Sequence, residues 1–328
     1  MQAAWFDKFG PAAEVLTIGE QPLPAPEADQ VLVRLHTSGA NPSDVKKRAG
    51  SFPDLLDNGF VIPHSDGAGV IEAVGSGVPD NRVDERVWVY QAQYGRRFGT
   101  AAEYVAINSN RAIPLPDNTT FEVGACLGIP AMTAHRCVFA DGPVEGQTLL
   151  VTGGAGRVGY YAIQWAKQAG AIVIATASTL ADQNACRNAG ATFVVSHREP
   201  DWSSVVLEAT GGAPVDRVID VEFGANLGEV LKLIRMSGTI ATYASTQVPE
   251  PQLPFFKIMY LDLTLRLVIV YSMPEGAKQQ AVDDITNKLK TDDLKHRVAH
   301  SLPMSDICKA HELIETGGFR GCVIVNMD

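Results

Sequence analysis

The segment Gly153-Gly154-Ala155-Gly156-Arg157-Val158-Gly159 constrains this chain more than any other. It follows an apolar run, Leu149-Leu150-Val151, and opens a helix-forming stretch from Gly159 to Ala169 that Gly170 closes. Glycines at 154, 156 and 159 give the spacing G-x-G-x-x-G. Between a strand and a helix each has a mechanical task. Gly154 is read as the tight-turn residue, Gly156 as the place where backbone N–H groups approach a pyrophosphate, and Gly159 as the close helix–strand contact. The positive end of the helix dipole then faces the anion. Ala155, Arg157 and Val158 complete the cradle, with Arg157 reaching toward the pyrophosphate or pointing outward.

A dinucleotide site is tuned where the second strand ends. Asp or Glu there accepts from the ribose 2′-OH and favours NAD. After Ile172-Val173-Ile174-Ala175 this chain has Thr176-Ala177-Ser178-Thr179, and no carboxylate before Asp182. His197-Arg198 follows the next apolar run and offers positive charge, the guanidinium being suited to a phosphate. The expected cofactor is therefore NADPH, with Ser178, Thr179, His197 and Arg198 at its 2′-phosphate. Arg198 also reads as a plain solvated charge.

Strand-like and helix-like runs alternate from about 121 to 241, which implies a parallel sheet with right-handed crossovers. Phe121 to Phe139 reads as helical, with Pro130 as a kink or break. Residues 1 to about 120 differ. Short β-like runs such as Val31-Leu32-Val33-Arg34-Leu35 and Val87-Trp88-Val89-Tyr90 alternate with turn clusters, the texture of a mostly antiparallel β domain. The tail adds helices near Gly276 to Leu289 and Met304 to Glu315 and a closing strand at Cys322 to Val325. Ile258 to Met273 is the most apolar late stretch. Asp262 and Arg266 interrupt it, and it is read as a buried or subunit-contact strand rather than a membrane span.

Composition excludes several classes. At 46% hydrophobic and 20% charged residues the chain is soluble and globular in type. A formal net charge of −10 repels phosphate backbones, so nucleic acid is not an expected partner. Cys126, Cys137, Cys186, Cys308 and Cys322 are odd in number and show no C-x-x-C spacing, against both a disulfide framework and a zinc knuckle. Met1 to Gly10 has no apolar core of a signal peptide, and a cytoplasmic location is expected.

Six segments in order, the glycine turn among them, carry a resemblance over nearly the whole chain. They are Ser38-Gly39-Ala40-Asn41-Pro42-Ser43-Asp44, Ser65-Asp66-Gly67-Ala68-Gly69-Val70, Glu72-Ala73-Val74-Gly75, Asp84-Glu85-Arg86-Val87, Gly99-Thr100-Ala101-Ala102-Glu103-Tyr104 and the glycine turn. With them the chain resembles the zinc-independent medium-chain dehydrogenases/reductases of the zeta-crystallin-like quinone oxidoreductase type. The resemblance implies an α/β chain in two domains: a GroES-like, mostly antiparallel β domain over 1–120, to which 270–328 returns, and a Rossmann doubly wound parallel sheet over 121–269. It implies a cofactor in the cleft between them, a homodimer or homotetramer, and backbone groups near Val268 and Val270 meeting the nicotinamide amide.

Zinc alcohol dehydrogenases of the same superfamily hold their metal with Cys, His and Cys. The matching positions here are Asn41, Ser65 and Ile129, a set that does not suit zinc, so no metal site is expected. His64 reads as a pocket-wall or turn histidine. Without a Lewis acid the substrate itself must accept hydride well, as quinones and α,β-unsaturated carbonyls do. Asn41 is the first candidate to orient substrate or nicotinamide; it also reads as a turn residue before Pro42. Relatives commonly carry Tyr at the places of Lys46 and Phe52. Lys46 reads as a partner for the developing oxyanion or as a solvated lysine, and Phe52 as an aromatic-binding wall. The loop 90–98 lines the pocket or is plainly exposed. The leading expectation is an NADPH-dependent quinone oxidoreductase. The alternatives are an NADPH-dependent enal or enone C=C reductase and a crystallin-like nucleotide-binding protein with little turnover.

Overall fold

The apolar runs of the chain pair into two separate main sheets, one in each of two compact units. The computed structural model describes residues 1–327. One unit comprises Met1–Ile129 with the described residues from Val282 onward; the other is Pro130–Ala281.

In the first unit the long strand Gln30–Ala40 is central. It pairs antiparallel with Asp66–Val74, with Tyr104–Asn108 and with the late strand Cys322–Asn326. Arg86–Val89 and Ala112–Pro114 extend the sheet beyond Asp66–Val74, and Val298–Pro303 flanks Cys322–Asn326 in the one parallel pairing. Alternating strands bury Val31, Val33, Leu35, Ile71, Val87, Val105 and Ile107, joined by Ile307 and Ala310 of the helix Ile307–Thr316. A GroES-like β unit is thus present, as the antiparallel texture implies.

The second unit is a six-stranded parallel sheet. In chain order its strands are Thr148–Val151, Ile172–Thr176, Phe193–Val195, Val215–Asp220, Ile234–Thr242 and Thr264–Leu267. In space they run third, second, first, fourth, fifth, sixth. This is the Rossmann order, in which the direction of winding reverses between the first and fourth strands. Leu150, Ile174, Val218 and Ile240 lie in its core, consistent with near-continuous apolar strands covered by helices on both faces.

Phe121 to Phe139 is helical and interrupted at Pro130, as expected. It comprises a helical turn Phe121–Gly124, a π-helical segment Leu127–Ala131 containing Pro130, and the helix Met132–Phe139. A proline lacks the N–H that an α-helical ladder needs, and the backbone widens around it. Ile258 to Met273 is not a buried strand. Pro254 opens a helix, Phe255–Tyr260; Asp262 then turns the chain at positive φ, and only Thr264–Leu267 is extended. That strand lies at the edge of the sheet, and Leu267 is 74% exposed. No helix among the described residues is long and apolar enough to cross a membrane.

Candidate active site

The glycine turn joins the first strand of the parallel sheet to the helix Arg157–Gln168. Gly153 carries the positive φ, +58°, so the tight turn belongs to Gly153 rather than to Gly154 as the spacing suggests. Its N–H donates to Thr176 Oγ1 at 2.9 Å, and the Gly154 N–H to Thr176 O at 3.0 Å, which ties the turn to the end of the second strand. Gly154 is a packing residue. A Cβ there would stand 2.9 Å from both Ala175 Cβ and Ile163 Cδ1. At Gly159 it would stand 2.5 Å from Gly153 O, so the close helix–strand contact lies there as expected. At Gly156 only Gly153 O, at 3.1 Å, is nearby, which leaves room above this helix cap. Gly156 has no side chain to satisfy the first-turn N–H groups. The positive end of a three-turn helix suits an anion such as a diphosphate, and Ala155, Arg157 and Val158 belong to the same turn.

The residues expected at a 2′-phosphate leave neighbouring strand ends. Val195 pairs in parallel with Thr176, and the Ala177 N–H donates to Val195 O at 2.9 Å. Ser178 and Thr179 follow one strand, and the exposed His197 and Arg198 follow the other. Thr179 is already employed: its hydroxyl accepts from the Asp182 N–H at 3.1 Å and caps the helix Leu180–Ala189. Ser178 is the half-buried hydroxyl beside it.

At the winding reversal the sheet carries polar residues that pattern reading passed over. Thr152 Oγ1 donates to Asp220 Oδ1 at 2.6 Å and accepts from the Val221 N–H at 3.0 Å. Burial pushes the Asp220 carboxyl up, with the hydrogen bonds from Thr152 and Asn226 opposing. The Tyr243 phenol, one residue past the fifth strand, is also driven well up by burial, against the charge of Arg157. Val268 and Val270 are buried beyond the edge strand, and the Val268 N–H donates to Thr242 O at 2.8 Å. The sequence signal for these residues is slight: a polar residue at the C-terminal end of an apolar strand.

The first unit holds a second polar centre. Asn41 caps the helix Pro42–Arg48, and its backbone N–H donates to Asp44 Oδ2 at 2.8 Å. Its side-chain amide donates to Asp66 Oδ2 at 2.9 Å and to Gly39 O at 3.3 Å. The Ile129 N–H reaches the same Asp66 oxygen at 2.9 Å. Positions 41 and 129, with 65 beside Asp66, therefore meet around a carboxyl. Asp66 is fully buried, which raises its pKa to about 8, and the nearby Asp44 adds to the rise. Both amide hydrogens of Asn41 are spent inside the protein, so its role as a free donor gives way to that of a buried strut. The lysine at this centre is Lys47, not Lys46. On the short helix Lys46 faces outward, whereas Lys47 is buried and donates to Gln93 O at 2.7 Å. Burial lowers the Lys47 pKa, against the pull of Asp44 and Asp66. Phe52 is 51% exposed. Gln93 also donates to Arg96 O, and Arg96 to Ala106 O, so the 90–98 loop is pinned rather than loose.

His64 belongs to a directed hydrogen-bond chain. Thr100 Oγ1 donates to Asp66 O at 2.6 Å, so Ser38 must donate to Thr100. The Ser38 oxygen then accepts from His64 Nδ1–H at 2.8 Å, which leaves His64 Nε2 to accept from His311 Nε2–H at 3.0 Å. Each ring needs one proton only, in keeping with burial that lowers His64 to about 3 and His311 well below its ordinary value. Among the described residues no group of three or more His, Cys, Asp or Glu is placed to hold a metal ion.

Comparison with known proteins bears on this geometry. The alcohol dehydrogenase GroES-like domain family matches residues 27–117, and the zinc-binding dehydrogenase family matches 158–287. Rat quinone oxidoreductase is 29% identical over 330 residues, covering 99% of this chain and 97% of the relative. Mouse quinone oxidoreductase is 31% identical over 244 residues, 73% of this chain and 72% of the relative. This chain belongs to the zinc-independent, zeta-crystallin-like medium-chain dehydrogenases/reductases. The reductase is also similar, at 26% identity and a TM-score of 0.88 over 100% of both chains, to a mycobacterial protein solved in complex with NADPH. As an oxidoreductase of this family it uses a nicotinamide cofactor.

Proposed function

We propose that this reductase transfers hydride from NADPH to a quinone without a metal. The observation that carries the cofactor choice is the corner at the ends of the second and third strands. No carboxylate follows Thr176 on Ala177-Ser178-Thr179, while His197 and Arg198 leave the adjacent strand. Such a corner does not repel a 2′-phosphate and offers it a hydroxyl and two cationic or hydrogen-bonding side chains. NADPH, when bound, supplies the hydride; the chain supplies binding and orientation. The first-turn N–H groups after Gly156 take the diphosphate, and the backbone around Val268 and Val270 takes the nicotinamide amide.

The acceptor class follows from the donor set. Residues 41, 65 and 129 are Asn, Ser and Ile, and the Asn41 amide and Ile129 N–H are committed to Asp66. This set does not polarise a carbonyl as a Lewis acid does. A quinone needs no such help, because the incoming charge spreads onto its oxygens. Steady-state oxidation of NADPH and NADH with a panel of quinones and enones tests the proposal. Faster turnover of quinones with NADPH is expected. Turnover of enones alone would make the protein a C=C reductase, and tight nucleotide binding with no turnover would make it a binding protein.

The reading extends to a second copy of the chain. The edge strand Thr264–Leu267 has an unpaired side, and Phe255, Phe256, Tyr260 and Leu267 are exposed around it. An uncovered edge beside large apolar side chains invites pairing with its own twin. Light scattering should report a dimer or tetramer, and Leu267→Glu should shift it toward monomer. A wild-type monomer at micromolar concentration would refute this part. None of the five cysteines is in a disulfide among the described residues, which fits a reducing, cytoplasmic setting.

A further inference from the structure

The Asp66 carboxyl is where two segments remote in sequence are held together. Its Oδ2 takes both the Asn41 amide and the Ile129 peptide N–H, each at 2.9 Å. Through Asn41 it fixes the start of the helix Pro42–Arg48. Through Ile129 it fixes the π-helical segment Leu127–Ala131, whose widened backbone does not use every N–H in a regular ladder. The backbone carbonyl of Asp66 is held as well, by the Thr100 hydroxyl that ends the His311–His64–Ser38 chain. The other carboxyl oxygen, Oδ1, is buried with no hydrogen-bond partner and lies against Gly128. A Cβ on Gly128 would stand 2.1 Å from it. The carboxyl therefore seats only because residue 128 has no side chain. Asp44 and Lys47 of the short helix, and Cys126, are the other ionisable groups acting on or felt by it.

We infer that Asp66 is the positioning residue of the substrate site: it locks the Asn41 loop to the Leu127–Ile129 segment, and Gly128 makes the space that allows it to do so. The inference rests on the proposed quinone reductase reading for its kinetic consequence but not for its structural one. An oxygen that accepts both N–H groups is what the lock requires. A carboxamide supplies that oxygen, whereas a methyl group does not. Misplacing a substrate-orienting loop by about 1 Å costs about 100-fold in rate.

The test uses the full chain with three substitutions: Asp66→Ala, Asp66→Asn and Gly128→Ala. The measurements are kcat and KM with 1,4-naphthoquinone, the NADPH dissociation constant by nucleotide fluorescence, and the side-chain ¹⁵N–¹H signal of Asn41 in asparagine-labelled protein. Asp66→Ala and Gly128→Ala are expected to lower kcat about 100-fold and to shift the Asn41 signal, with the NADPH constant changed less than about threefold. Asp66→Asn is expected to keep kcat within about fivefold and leave the Asn41 signal in place. The inference is overturned if Asp66→Asn is as impaired as Asp66→Ala, or if folded Gly128→Ala retains both wild-type rate and the Asn41 signal. Should Asp66→Ala not fold, Gly128→Ala against Asp66→Asn decides. If the wild type turns over no quinone, the functional reading fails, and the Asn41 signal alone judges the lock.

Discussion

The glycine turn of the second unit and the Asp66 centre of the first are built on opposite principles. The turn is made of backbone. Its residues adjoin in sequence, and what matters is where side chains are missing. The Asp66 centre is made of buried side chains and one peptide N–H drawn from residues 38 to 129, with His311 behind them. A backbone site tolerates no added atoms but needs no titratable group. The side-chain site has four groups displaced from ordinary ionisation by burial: Asp66, Lys47, His64 and His311. The two regions therefore have separate vulnerabilities, one steric and one electrostatic.

The largest expected effect breaks the steric side. Gly159→Val places a Cβ against Gly153 O, a backbone atom that cannot swing away, and should weaken NADPH binding by about 100-fold or more as the helix leaves the turn. Fluorescence titration checks it, and retained affinity would deny the turn its role.

Next comes Arg198→Ala. One charge-assisted hydrogen bond to a phosphate is worth about 1.5–3 kcal/mol, so the NADPH Michaelis constant should rise about 10- to 100-fold and the NADH one hardly at all. Equal effects on both nucleotides would remove Arg198 from the 2′-phosphate corner.

The electrostatic side is sharpened by pH. Asp66 has its carboxyl raised from 3.8 to about 8, so between those values the folded protein holds a proton that the unfolded chain has released. Its contribution to stability is complete below pH 3.8 and is lost as pH rises through 8. His64, lowered from 6.5 to about 3, works in the other direction. Its contribution is complete above 6.5 and is lost as pH falls toward 3. Relative to the wild type, Asp66→Asn should gain several degrees of melting temperature as pH rises from about 5 to 9. A constant difference between the two proteins across that range would show that the carboxyl titrates normally.

The smallest expected effect, at Lys46, is read against that at its neighbour Lys47. Lys46→Met should change stability by no more than about 0.5 kcal/mol, as at other exposed sites. Lys47→Met should cost about 2–4 kcal/mol, because it strands Gln93 O and two acidic neighbours. Urea unfolding distinguishes them, and equal losses would mean that Lys46 is not the exposed member of the pair.

The strand–turn–helix unit, the alternation that makes the parallel sheet and the acid-free end of the second strand were all legible in the sequence. Glycine spacing and apolar periodicity are local properties that survive in one dimension. The tight turn sits at Gly153 rather than Gly154 because φ is not written in residue type when both are glycine. The choice between Lys46 and Lys47 depended on which face of a seven-residue helix turns inward, and three adjacent basic residues carry no amphipathic signal. Asp66 was invisible as a hub because its partners lie 25 and 63 residues away. For the 258–273 stretch hydropathy alone does not choose between a buried strand and a subunit-contact strand; the tertiary structure removes the buried reading by leaving Thr264–Leu267 at a sheet edge.

The sequence by itself determined the family, the two sheet types and the glycine turn between strand and helix, since each rests on short-range geometry that residue order fixes. Only the tertiary structure decided which polar groups lose water together. Burial is a property of the packed chain, and it is burial that turns Asp66, Lys47 and the His64–His311 pair into a single electrostatic unit.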